Sequence, residues 1–157
     1  MAPDTQTSDA QKKAPGFKVS LTLLEDYTFK VDFDEFGYII TDEPPPLGKG
    51  EGPNPSRLVA SAVANCLSAS LLFALSKKKQ KPNNLKAQAH GNLHRVNGLW
   101  RIEKINVTID VDTDGIDQSI LQDVLGMFED YCIVTQSIRD GIPVALNVND
   151  FKGNKLK

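Results

Sequence analysis

The chain has 157 residues, of which 40% are apolar and 24% charged, with a formal net charge of −2. That is the balance of a folded globular protein, and the length suits one domain of ordinary size. The near-neutral charge excludes an electrostatic footprint for nucleic acid or an anionic membrane surface, so neither is expected as a partner.

Residues 1–15, opening "MAPDTQTSDAQKK", are polar and are expected to form a disordered tail ahead of a single domain over 16–157. The segment has neither the apolar core nor the cleavage pattern of a secretory signal, so a reducing, cytoplasmic setting is expected. In that setting two cysteines are poorly suited to a purely structural disulfide.

Alternating apolar residues predict strands over Phe17 to Leu24 and Tyr27 to Phe33, joined by a tight turn at Glu25 and Asp26. A shorter strand is expected over Gly37 to Thr41. The stretch "DEPPPLGKGEGPNPS" that follows reads as a loop, because proline lacks a donor and glycine lacks restraint. It has neither the Gly-Lys-Ser/Thr nor the three-glycine pattern of a phosphate cradle, and is expected to be a flexible active-site rim.

A helix then starts at Pro55, with Asn54 placed to cap it, and runs to about Lys79, roughly 37 Å at 1.5 Å per residue. From Leu58 to Ser76 this helix carries no charge. Its length would allow a membrane span, but Ser61, Asn65, Ser68, Ser70 and Ser76 fit the buried centre of a globular protein better. The lysines of "KKKQK" suit the negative end of its dipole.

Two long strands, Asn84 to Val96 and Leu99 to Asp112, flank Asn97-Gly98, a strong hairpin signal. Residues 117–131 carry a helical stripe through Ile120, Leu121, Val124, Leu125 and Phe128. "CIVTQSIRDG" reads as a second short helix closed by Gly141, and "VALNV" as a last strand. His90 and His94, four apart on a strand, lie about 13 Å from each other at ~3.3 Å per residue, too far to share a metal ion. The order of elements is that of an α+β fold.

Only two cysteines are present. Cys66 stands beside Asn65 at the centre of the apolar helix, among small residues that allow close approach. Cys132 falls where one helix ends and the next begins, near free helix amides that lower a thiol's pKa.

"GPNPSRLVASAVANC" followed by "DYCIVTQSI" resembles the osmotically inducible protein C / organic hydroperoxide resistance family (OsmC/Ohr), and the likeness runs from about Phe17 to Val148. The resemblance implies an intertwined homodimer whose antiparallel sheets wrap long buried central helices. It also implies a thiol peroxidase without metal or organic cofactor. Cys66 would attack an organic hydroperoxide, Cys132 would resolve the sulfenic acid as a disulfide, and a lipoyl-type dithiol or small thiol would reduce it.

A thiol of pKa about 8.5 is roughly 3% thiolate at pH 7. Lowering its pKa to about 6 nets only some two- to three-fold, because nucleophilicity falls with basicity. The larger need is to stabilise the departing alkoxide. Family members use an Arg after the first strand and a Glu early in the long helix. Here the strand turn reads Leu24-Glu25-Asp26-Tyr27 and the helix start Ser56-Arg57. Arg57 and Glu51 are the candidates to replace them. The alternative is a non-catalytic member that binds a hydrophobic small ligand, or a redox sensor.

Overall fold

The computed structural model describes residues 15–157, so the expected tail lies almost wholly outside the described residues. The region read as one domain divides into two compact units, the first ending at Asn54 and the second spanning Pro55–Lys157.

The first unit is an antiparallel three-stranded sheet, β1 (Ser20–Glu25), β2 (Thr28–Asp32) and β3 (Tyr38–Thr41), in that order. The first turn places Asp26 at φ 48, and β2 and β3 are joined through a 3-10 turn over Asp34–Phe36. Strand β1 starts at Ser20 and not at Phe17, because Ser20 pairs with Asp32, the last residue of β2 before the 3-10 turn.

The proline- and glycine-rich loop after β3 is organised by a carboxylate. Asp42 is only 2% exposed. It accepts backbone N–H bonds from Glu43 (2.8 Å), Lys49 (2.9 Å) and Glu51 (3.1 Å). Gly48 must be glycine here, since a Cβ would strike the Asp42 carboxylate. A Cβ on Gly52 would strike the Ile40 carbonyl. The loop is therefore pinned, where flexibility was expected. Its lysine, Lys49, also pairs with Glu25 at 2.7 Å.

The second unit is built on α1 (Pro55–Lys77), 23 residues and about 35 Å long. Lys79 adopts φ 57, and the Gln80 N–H reaches back to the Leu75 carbonyl at 3.0 Å, so a left-handed residue closes the helix two residues before the expected end. By length and composition α1 could cross a membrane. It lies instead against the hairpin and the later helices, burying Val63, Leu67, Leu71, Ala74 and Leu75.

The hairpin pairs β4 (Leu85–Val96) with β5 (Leu99–Val111) in the expected register, turning through Asn97 (φ 50) and Gly98 (φ 80). Within it His90 stands opposite Asn106 and His94 opposite Arg101.

Helix α2 (Gln118–Leu125) starts at Asp117, whose side chain accepts from the N–H groups of Ser119 and Ile120. It stops at Gly126, earlier than its apolar stripe predicts, and residues Phe128–Tyr131 form a 3-10 turn. Helix α3 (Ile133–Asp140) ends on left-handed Gly141.

The expected last strand is not formed. Among the described residues, 143–147 make no backbone hydrogen bond, and only an isolated bridge joins Asn149 to Lys155. A strand needs a neighbour, and this segment has none among the described residues. Val144 is 90% exposed and Leu146 63%.

Replacing Asp42 with Asn should lower the melting midpoint by several degrees and speed proteolysis within residues 43–52, because an amide cannot accept from every N–H that the carboxylate does. Burial raises the Asp42 pKa, but the amides of Glu51, Lys49, Glu43 and Gly50 bring it below its ordinary 3.8. Its contribution is thus present above that value and lost as pH falls through the depressed folded one. The variant's stability should accordingly fall less than the native protein's on acidification, as thermal melts at several pH values would show.

Candidate active site

Both cysteines are free. Cys66 sits in the middle of α1, one residue before buried Leu67 and three after buried Val63. Cys132 is the N-cap residue of α3. What seats it against α1 is the residue before it. The Tyr131 ring meets Phe73 of α1 edge-on, 5.2 Å between centroids, and the Lys77 ammonium lies 4.9 Å from each ring. The aromatic pair and its cation hold the start of α3 on the long helix.

The two cysteines thereby share one cluster with Val63 and Leu67, closed by Ile105, Val107, Ile109, Phe128 and Val134. Each thiol acts on the acidity of the other. Cys132 is 0% exposed, whereas Cys66 is partly open.

Two hydroxyls that sequence reasoning passed over complete the site. Thr135 Oγ1 lies 3.0 Å from Cys132 Sγ, both buried. Buried Ser70, one turn after Cys66 on α1, lowers the pKa of both thiols. Their signals were available as spacings, Thr135 three residues after a helix-capping cysteine and Ser70 four after a helical one.

The thiols are driven apart in acidity. Burial pushes the Cys66 thiol up, and so does its bond to Cys132; the Val134 amide and the Ser70 hydroxyl only partly offset this. Burial also pushes Cys132 up. There the Thr135 hydroxyl, the Cys66 thiol, the Thr135 amide and Ser70 outweigh it and bring the thiol below its ordinary value. The helix-start setting read from the sequence acts on Cys132 in this direction.

An open cavity of about 810 Å³ is walled by Val63, Leu67 and Leu71 of α1, by β5, and by Thr135 and Ile138 of α3; neither cysteine lines it, but Val63, Leu67 and Thr135 stand between it and the sulfurs. Its lining is mostly apolar.

Arg57, also expected at the site, is not in the cluster of the two sulfurs. Arg57 is nine residues before Cys66, half a turn out of phase at 3.6 residues per turn. It lines a different groove with Ala60, Ser61, Asn65 and Ala87. Glu51 belongs to the other compact unit, where its N–H donates to Asp42.

The sequence profile of the OsmC-like protein family matches residues 48–147. Solved structures of similar fold include an OsmC-like protein from Mycoplasma pneumoniae, 18% identical, with a TM-score of 0.68 over 82% of this chain and 89% of that one. A hypothetical protein from Aquifex aeolicus is 20% identical at TM-score 0.65, over 82% of this chain and 90% of that one. The organic hydroperoxide resistance protein OhrB of Bacillus subtilis is 19% identical at 0.56, over 80% and 93%. No curated protein sequence matches significantly.

In the folded protein iodoacetamide should modify Cys66 slowly and leave Cys132 untouched until denaturant is added, with peptide mass spectrometry as the readout. Labelling of Cys132 as fast as Cys66 in the native state would contradict the enclosure described.

Proposed function

Because this chain belongs to the OsmC-like protein family, we propose that it is a thiol-dependent peroxidase that reduces organic hydroperoxides through Cys66 and Cys132. The observation that carries this reading is the pairing of a partly open sulfur with a fully enclosed one in a shared apolar cluster. Cys66 is the sulfur a substrate can reach, and so the one that attacks. Cys132, in the cluster against which Cys66 packs, condenses with the sulfenic acid. The adjoining cavity takes the organic part of the hydroperoxide. A lipoyl-type dithiol or small thiol then reduces the disulfide, and no metal or organic cofactor takes part. Arg57 is assigned no step within its own chain.

The cavity supports a second reading, storage of an apolar ligand without turnover. One equivalent of cumene hydroperoxide separates the two. The peroxidase yields a Cys66–Cys132 disulfide by mass spectrometry and repeated turnover with a dithiol, and Cys66→Ser abolishes that turnover. Untouched thiols after exposure favour the binder.

The functional unit in this reading is a cytoplasmic homodimer. One face of α1 remains uncovered along Ala62, Asn65, Ala69 and Leu72, and the extended segment through Val144 and Leu146 pairs with no strand among the described residues. A second copy supplies both an apolar neighbour and a sheet edge. Light scattering should give twice the chain mass. Leu146→Pro, which removes a donor from the segment, should shift the population toward monomer by at least about ten-fold in dissociation constant, if strand addition holds the copies together.

A further inference from the structure

A peroxidase cycle closes only when a thiol reductant reopens the Cys66–Cys132 disulfide, and chemically either sulfur of a disulfide can be attacked. We propose, resting on the peroxidase reading, that the reductant enters at Cys66 alone, forms its mixed disulfide there, and expels Cys132 into the protein interior.

Exchange proceeds by attack of a thiolate on one disulfide sulfur, so access decides which one. The approach is in line, from the side opposite the bond that breaks. For Cys132 no such line exists, because the residue is 0% exposed. Val63 and Leu67 of α1, Ile105 and Val107 of β5, and Phe128 close the cluster that holds it. The cavity stops short of it at buried Thr135, whose Oγ1 is 3.0 Å from Cys132 Sγ. Cys66 is partly open. Both residues belong to one cluster, so joining their sulfurs leaves these walls standing. The departing sulfur also has a partner. The Thr135 hydroxyl can donate to a Cys132 thiolate and accept from the thiol that replaces it, which is the bond present in the reduced protein. The thiols are shifted in the matching sense, Cys66 upward and Cys132 downward, and the thiol of lower pKa leaves faster.

With a dithiol as reductant, its thiolate bonds to Cys66 Sγ. The Cys66–Cys132 bond breaks, and its electron pair leaves on Cys132 Sγ. The second thiol of the reductant gives its proton to Cys132 and attacks the reductant's own first sulfur. That closes a cyclic disulfide and releases Cys66 as a thiolate. The protein disulfide is reduced by two electrons and the dithiol is oxidised by two. One protein disulfide and one dithiol monoanion give one cyclic disulfide, one Cys66 thiolate and one Cys132 thiol.

The test catches the mixed disulfide. Full-length protein oxidised with one equivalent of cumene hydroperoxide is mixed briefly with glutathione, quenched in acid, alkylated in denaturant and read by peptide mass spectrometry. Glutathione on Cys66 with alkyl on Cys132 should exceed the reverse product at least about ten-fold. Glutathione on Cys132, or equally on both, overturns the proposal and spares the peroxidase reading. Thiols untouched by the peroxide sink the peroxidase reading instead, and the disulfide is then made with diamide, so that the order of opening is judged on its own by the same two products. Single-cysteine variants decide the matter if Cys132 recaptures Cys66 before the quench. With dithionitrobenzoate, folded Cys132→Ser should release thionitrobenzoate at least about ten-fold faster than folded Cys66→Ser, and guanidinium should bring the two rates together. Equal rates in the folded proteins, or a faster Cys66→Ser, refute the assignment.

Discussion

The site rests on one contact, the docking of the start of α3 onto the middle of α1. Tyr131, clasped between Phe73 and Lys77, is the anchor. It delivers Cys132 to a point where the sulfur has lost all contact with water yet faces an amide-rich helix start and the Thr135 hydroxyl. A desolvated sulfur would ordinarily stay protonated. The groups gathered around it reverse that preference, and the neighbouring Cys66 shifts the opposite way. Two chemically identical side chains thus acquire unlike characters from environment alone.

Several features follow from that arrangement. The long helix must be small and apolar around Cys66, since α3 and β5 both close on it. Val63, Leu67 and Thr135 each have one side toward the cysteines and another toward the cavity, so the two share a wall.

What was legible in the sequence was local or periodic. The Asn97-Gly98 hairpin, the start of α1 at Pro55 and the stop of α3 at Gly141 each depend on residues adjacent in sequence. Both sulfurs stood out because their residue type is rare here. The rest depended on partners distant in sequence or absent from the chain. Asp42 gave no signal, because its amide donors come one to nine residues later. Ser70 and Thr135 read as ordinary polar residues until the fold turned them inward. The alternation in "VALNV" was correctly that of a strand, but a strand is a relation between two segments, and the second is missing among the described residues.

That unpaired stretch also bears on how the protein meets other chains. Among the described residues, 144–147 carry a row of unbonded amides and carbonyls beside exposed Val144 and Leu146, an edge that another extended polypeptide could extend. Pro143 at its entrance interrupts the row of donors, and Asn147, Asp150 and Lys152 follow within reach. These residues act as gatekeepers. They discourage promiscuous stacking of strand on strand while leaving the edge available to a neighbour that fits it.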